Sequence, residues 1–389
     1  MTGMSPTFTV EQERFRSEVR AWLREHAPTA PVPEEEDAQV DFLRTWQATL
    51  AANRLVGPHW PEEYGGRGLA WAENFILQEE MARARVPEII NRIAVNLVGP
   101  VLMTHGSAEQ KARYLPAILS AEEIWCQLFS EPDAGSDLRS MRTTASKVSD
   151  GWVVHGTKVW SSWAHHAKRG VLLARTEQDT GRPGAIGYFL VDMGQEGIEV
   201  RPLRQLTGET EFCETFLDGV FVGDDDVIGD PANGWKVMHT TISYERSMSP
   251  RQLITHANLL DELLEIARKD PLTPEQRQRI ARAYAELTIY RLHLYRVLTD
   301  LGEGGSPSDS SSVIKLFWSE MAQRMHELSI DMLGMEGITQ PSIRQRQYLY
   351  YRACTIFAGT SEIQRDTIGH RVLGLPREPP PAETKEPAP

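Results

Sequence analysis

Three short segments carry residue types at spacings that can do chemistry. The first is Trp125-Cys126-Gln127-Leu128-Phe129-Ser130-Glu131-Pro132-Asp133-Ala134-Gly135-Ser136-Asp137-Leu138. Pro132 and Gly135 make a turn there, around which backbone N–H groups and the Ser130 and Ser136 hydroxyls can converge on an acceptor such as a phosphate. A plain domain-boundary turn has the same composition. The second segment is Gly156-Thr157-Lys158-Val159-Trp160-Ser161-Ser162-Trp163, an alternating strand that ends in indoles and hydroxyls. A half-exposed Trp beside hydroxyl donors suits a planar aromatic cofactor, although two Trp residues packed into a core give the same pattern. The third is Ile356-Phe357-Ala358-Gly359-Thr360-Ser361-Glu362-Ile363-Gln364-Arg365. Thr360 or Ser361 can cap a helix running to about His370, and such an end offers N–H groups and a positive dipole to an anion. An ordinary helix start is the alternative.

Other chemistries find no support in the chain. His165 and His166 are adjacent, so on a helix or strand their rings point apart, and no metal site is expected from them. There is no HExxH, CxxC or nucleophile-elbow motif, and neither Gly65-Gly66-Arg67-Gly68 nor Gly302-Glu303-Gly304-Gly305 has the Gly-x-Gly-x-x-Gly spacing of a dinucleotide fold. Three widely separated cysteines, Cys126, Cys213 and Cys354, provide no disulfide framework and fit a reducing compartment. The balance of 41 Lys+Arg against 54 Asp+Glu gives a net charge of −13, which repels phosphate backbones and anionic lipid headgroups. No apolar run approaches the roughly 18 residues of a membrane span, and the N-terminus has no leader-like pattern. The expectation is a cytoplasmic protein with no nucleic-acid partner and no membrane span.

The elements that must position these segments fall into three blocks within 389 residues. Up to about residue 120 the pattern is helical. Thr9 and Gln12 form a capping box ahead of Phe15, Val19, Trp22 and Leu23 at helical spacing, Pro28 ends that helix, and further helices are expected at 42–51, 71–84 and 89–105. From about Glu123 the chain changes to short β-branched and aromatic runs at 152–155, 171–173, 186–191 and 216–222, separated by turns, as an antiparallel sheet or barrel requires. After Asn233-Gly234 long helices return, at about 248–269, 274–301, 312–333 and 344–358, with a Gly/Ser/Pro-rich linker at 302–312. The resulting division is residues 1–122, 123–232 and 233–376, followed by a Pro- and charge-rich tail, 377–389, that is expected to be disordered. No repeat with a period of about 20–50 residues is present.

In this order and at these separations, the three segments resemble the acyl-CoA dehydrogenase family, and the resemblance covers nearly the whole chain. Further matches are Trp60-Pro61-Glu62-Glu63-Tyr64-Gly65-Gly66-Arg67-Gly68-Leu69 and Glu214-Thr215-Phe216-Leu217-Asp218-Gly219-Val220-Phe221-Val222. The resemblance implies an α+β multidomain fold: an N-terminal α-helical domain, a middle antiparallel β-barrel domain and a C-terminal four-helix bundle. It also implies non-covalent FAD, with Gln127, Leu128, Phe129 and Ser130 lining the flavin ring and Ser136 near the pyrophosphate or substrate. Trp160 and Ser162 would border the ring, and Thr360, Ser361, Glu362 and Ile363 would contact the cofactor. The implied reaction is α,β-dehydrogenation of an acyl-CoA, with a carboxylate taking the α-proton and an electron-transferring flavoprotein accepting the electrons.

The chain departs from the commonest family pattern in two places. Many members carry the catalytic Glu immediately before the Gly-Thr pair matched by Gly359-Thr360, where this chain has Ala358. A minority place the base in a Glu-Arg pair on a helix of the C-terminal domain, a position matched by Tyr244-Glu245-Arg246. Glu245 is therefore the candidate base, and Ser136, Tyr244, Arg246 and Ala358 are expected at the substrate. The second departure concerns contacts to a neighbouring subunit's FAD. Asp270-Pro271-Leu272-Thr273-Pro274 stands where an Arg-x-x-Phe-Gly segment would follow Lys269, and Asp331 and Met335 stand where a glutamine and paired glycines would be. A homo-oligomer, or a hetero-oligomer in which a paralogous subunit supplies the missing contacts, is implied. The alternatives are a non-catalytic or FAD-sharing subunit, and a flavin oxidase or monooxygenase on the same fold.

Overall fold

The computed structural model describes residues 8–176, 184–245, 250–302 and 310–376, with side chains described for all of these except residues 242–245, 302 and 310. Arg246, most of the expected linker and the expected disordered tail lie outside the described residues. The first helix, Val10–His26, starts as its capping box demands. The Thr9 hydroxyl accepts from the Gln12 N–H at 3.2 Å, and the Thr9 N–H donates to Gln12 Oε1 at 2.9 Å. Ser107 and Gln110 repeat the device ahead of Ala108–Ser120, a helix the apolar spacing did not single out. Helices Glu36–Ala52 and Trp71–Arg83 complete the long elements of this domain. The expected 89–105 helix is instead a π-helical turn, Ala94–Val98, running into Gly99–His105. The buried Trp60 ring lies so close to Gly99 that a Cβ there would meet it at 2.1 Å.

The middle of the chain forms one curled seven-stranded sheet: β1 (Trp125–Leu128), β2 (Thr144–Lys147), β3 (Gly151–Ser162), β4 (Arg169–Arg175), β5 (Ile186–Asp192), β6 (Ile198–Leu203) and β7 (Phe212–Gly223). The spatial order is β1-β4-β2-β3-β7-β6, with β5 also paired to β4. The four expected β runs all lie in strands. The sheet is not purely antiparallel, however, because β1 and β2 both pair with β4 in parallel. The reason is topological: the long connection from β1 to β4 returns the chain in the same direction, which a tight hairpin cannot do.

The C-terminal domain is helical and is built on Pro250–Lys269, Pro274–Gly302 and Ser310–Leu333, which pack on one another, with Gly234–Glu245 leading in from the sheet. Helix Ile343–Tyr350 is shorter than the expected 344–358. The chain there passes through a 3-10 turn, Ala353–Thr355, and then through left-handed backbone at Ala358 (φ 53°) and Gly359 (φ 89°), which no helix can accommodate.

Buried polar contacts join the blocks. Gln47 Nε2 donates to Ile118 O and Leu119 O at 3.0 Å, and Gln47 Oε1 accepts from the Asn91 N–H at 3.0 Å. Asn91 then holds the start of β1, accepting from the Trp125 N–H at 3.0 Å and donating to Glu123 O at 2.8 Å. His165 and His166 form part of a second junction, and here the expectation that adjacent rings diverge does not hold. They lie in a tight turn after β3 rather than on a helix or strand, their ring centroids are 4.1 Å apart, and both reach Glu36.

Between Val10–His26 and Trp71–Arg83 lies a buried charge cluster. Arg16 Nη1 contacts Glu79 Oε2 at 2.8 Å and Glu80 Oε1 at 3.0 Å, while Glu80 also accepts from Arg20 at 2.8 Å and from Arg83 at 2.6 Å. Burial works to raise the Glu80 carboxyl, but hydrogen bonds from Arg20, Arg16 and Arg83 outweigh it and bring it down to about 2. A carboxylate depressed in the folded state contributes stability that is complete above its unfolded value, about 4.5, and is lost as pH falls towards about 2. Urea unfolding across that window should therefore show falling stability, and Glu80→Gln should be less stable at neutral pH with a shallower acid slope. An unchanged acid slope in the variant would contradict the assignment.

Candidate flavin and acyl-CoA site

The first two segments are joined by a buried ion pair that sequence reasoning did not single out. Lys158 has no exposed surface, and its Nζ donates to Glu131 Oε1 at 2.8 Å and to Phe129 O at 3.1 Å. Glu131 also accepts from the backbone N–H groups of Arg142 and Thr143, the latter at 3.0 Å. The Val159 N–H donates to Ser130 O at 2.9 Å, so the turn after β1 is fixed directly to β3. Burial pushes the Lys158 ammonium down to about 8 against the opposing pull of Glu131. The Glu131 carboxyl, which burial alone would raise, lies below its usual range because Lys158 and its hydrogen-bond donors hold it charged. The signal was present in the sequence, since Trp152, Val154 and Lys158 fall on one face of the strand, and a charge on an inward face needs a buried partner.

This pair positions the expected cofactor residues. Gln127 and Ser130 are half-buried, whereas Leu128 and Phe129 are buried in the core, with Phe129 edge-on to Tyr188 at 5.8 Å. Leu128 and Phe129 therefore present backbone rather than side chain to anything outside. Ser136 is exposed on the following loop. The register of β3 against β7 shifts between Lys158 and Ser161, and Trp160 within that bulge has φ 62°. A bulge re-aims a side chain. Trp160 is 61% exposed, standing edge-on to Phe212 at 6.0 Å, with Ser162 half-buried two residues on.

The third segment sits in the C-terminal domain on separate supports. Thr360 is the cap: its hydroxyl accepts from the Ile363 N–H at 3.2 Å and starts the seven-residue helix Ser361–Thr367. Gln364 Nε2 donates to Ala358 O at 3.0 Å and to Gly359 O at 3.3 Å, and the buried Lys315 ammonium also donates to Gly359 O. Thr360, Ser361 and Glu362 line an open cleft of about 510 Å³ with Gln323, Arg324 and Arg365. Among the described residues the buried hydroxyls of Ser161 and Ser361 have no hydrogen-bond partner, so each side retains donor capacity for a bound group. An exposed indole, half-buried polar side chains beside it and these two hydroxyls fit a flavin cofactor.

Glu245 is the last residue of helix Gly234–Glu245. That helix is held by Thr241, whose hydroxyl pairs with Tyr188 Oη at 3.2 Å, and by Thr240, which meets His105 Nε2 at 2.9 Å. The segments expected to be deficient have structural duties instead. Thr273 caps the Pro274–Gly302 helix through Gln276, and Asp331 Oδ2 accepts from Gln276 at 3.2 Å and Arg279 at 3.4 Å.

Comparison with known families decides the identity. The acyl-CoA dehydrogenase N-terminal, middle and C-terminal domains match residues 9–122, 126–220 and 232–373. The chain belongs to the acyl-CoA dehydrogenase family. It is an oxidoreductase acting on acyl-CoA, and relatives on this fold are flavoproteins. Acyl-CoA dehydrogenase IpdE1 of Mycobacterium tuberculosis is 40% identical over 94% of this chain and 98% of its own. Two solved structures are similar throughout. The Tcur3481-Tcur3483 steroid ACAD is 27% identical, with TM-score 0.84 over 96% of this chain and 99% of that one. The ChsE4-ChsE5 complex from Mycobacterium tuberculosis is 28% identical, with TM-score 0.83 over 96% and 100%.

Within this acyl-CoA dehydrogenase, Lys158→Met leaves Glu131 buried without its counter-charge. Urea unfolding should show a loss of about 3 kcal/mol. The double variant Lys158→Met/Glu131→Leu should recover part of that loss by removing both charges. A double variant less stable than the single one would contradict this account of the pair.

Proposed function

We propose that the chain carries out FAD-dependent α,β-dehydrogenation of an acyl-CoA thioester with a bulky, steroid-derived acyl group, in a hetero-oligomer with a paralogous subunit. Glu245 is the base, and an electron-transferring flavoprotein takes the electrons. The observation that carries this reading is at Ala358. Its methyl group cannot accept a proton, it stands beside the Gly359-Thr360 pair, and the chain's other candidate carboxylate, Glu245, ends a helix anchored against the sheet. The steroid ACAD supports the substrate class, and the ChsE4-ChsE5 complex supports the two-chain assembly. Asp331 and the segment after Lys269, committed to helix capping and ion pairing, support a partner that supplies the remaining cofactor contacts.

Bound FAD supplies the acceptor for the β-hydride. Gln127, Ser130, Trp160 and Ser162 would border its ring, with the backbone of Leu128 and Phe129 behind them. Thr360 to Ile363 would hold it from the helical side, and the resemblance assigns the thioester to Ser136, Tyr244, Arg246 and Ala358. Glu245 removes the α-proton as a general base.

Glu245→Gln keeps the shape and loses the base. In the co-expressed assembly it should retain FAD but slow anaerobic flavin reduction by substrate about 100-fold or more. Near-normal reduction would remove Glu245 from the mechanism. Co-expression with the paralogue should raise flavin occupancy from a low value towards one FAD per pair of unlike chains. Full occupancy and activity of the isolated chain would establish the homo-oligomer instead, and rapid reoxidation by air with peroxide release would establish an oxidase.

A further inference from the structure

The junction between helix Glu36–Ala52 and the end of β3 gathers three metal-binding side chains that the dehydrogenation does not use. Trp163 (φ 57°) turns the chain out of β3, its N–H donates to Glu211 O at 2.7 Å, and the His166 N–H closes the turn on Trp163 O at 3.0 Å. This turn brings two consecutive imidazoles to one side. His165 Nε2 contacts Glu36 Oε1, and His166 Nε2 lies 2.8 Å from the same oxygen. One ligand atom from each of Glu36, His165 and His166 lies within 4.8 Å of the others. Zinc with bonds of about 2.0–2.1 Å separates its tetrahedral ligand atoms by about 3.4 Å, so small side-chain rotations suffice to admit the ion.

The groups behind these three point the same way. His165 Nδ1 lies 3.0 Å from Cys213 Sγ, which leaves Nε2 as the atom turned to the site. Thr210 Oγ1 donates to Glu36 Oε2 at 2.7 Å, which leaves Oε1 facing the rings. Outer contacts of this kind fix ring orientation at metal centres. Trp163 stacks near His165, with centroids 6.2 Å apart and planes 13° from parallel, and walls one side. The His side chains remain about 15% exposed and Glu36 39%, so a water can complete the coordination. Two imidazoles and one carboxylate suit zinc-like ions and do not suit magnesium or calcium, which take oxygen ligands.

We propose that Glu36, His165 and His166 bind one divalent transition-metal ion of the zinc class, which staples the N-terminal helical domain to the β domain just beyond Trp160 and Ser162. The test uses untagged protein, stripped with a chelator and titrated with Co²⁺ and Zn²⁺ by calorimetry, with the visible Co²⁺ spectrum as a coordination readout. The expected result is one ion per chain, a Co²⁺ spectrum of low coordination number, displacement by Zn²⁺, and affinity reduced about 100-fold or more in Glu36→Gln and in His166→Gln. Far-UV circular dichroism checks that the variants fold. If they do not, wild-type protein decides: Zn²⁺ should shield His165 and His166, but not the exposed His26, from carbethoxylation mapped by mass spectrometry. No saturable binding, unchanged affinity in folded variants, unchanged labelling of the histidine pair, or preference for Mg²⁺ or Ca²⁺ would overturn the proposal.

Discussion

A lysine ammonium without solvent contact must find its counter-charge inside the protein, and in this molecule that requirement organises the sheet side of the candidate site. Lys158 meets Glu131, and Glu131 in turn gathers the Arg142 and Thr143 N–H groups, so one ion pair fixes β3, the turn after β1 and the approach to β2. Breaking such a pair from one side costs several kcal/mol, which makes the arrangement stiff. The stiffness serves what lies beside it. Trp160 leaves the strand through a bulge only two residues from Lys158, and its exposed indole keeps a defined position because the strand beneath cannot shift register.

The same logic of buried polar groups holds the domains together. Asn91 satisfies the first N–H of β1 from the helical domain, and Gln47 satisfies Asn91 and the end of helix Ala108–Ser120. The Arg16, Arg20 and Arg83 guanidinium groups converge on Glu79 and Glu80 beneath the helix that also packs against Pro250–Lys269. Trp71–Arg83 therefore connects the N-terminal and C-terminal helical layers. The sheet hangs on this frame through Asn91, through the pair between Arg92 and Glu211, and through the contacts of Glu36 with the turn after β3.

Much of this was legible in the sequence where the determinant is local. The Thr9 and Gln12 capping box, the stop at Pro28, the alternating β runs and the cap at Thr360 are short-range patterns, and each forms as its chemistry requires. What escaped depends on distant partners. The parallel pairing of β1 with β4 follows from a long connection, and the helix that composition would have continued to 358 stops at Tyr350, before a 3-10 turn and the left-handed Ala358. His165 and His166 converge because they lie in a turn, where adjacency does not force the rings apart as it does on a helix or strand. Lys158 was readable in principle as an inward charge, but its meaning came only with Glu131 across the sheet. The candidate functional residues rest on resemblance rather than on geometry, and Glu245 is a candidate because no carboxylate stands at Ala358.

The central claim is that this chain, with the flavin held against β1 and β3, oxidises an acyl-CoA using a base other than the residue at 358. Anaerobic titration of the co-expressed, flavin-loaded assembly with a panel of acyl-CoAs tests it most directly. The account predicts that the flavin absorbance bleaches stoichiometrically with a bulky, steroid-derived thioester and that the enoyl-CoA appears in equal amount. A flavin that stays fully oxidised with every thioester in the panel, while remaining bound, would contradict it.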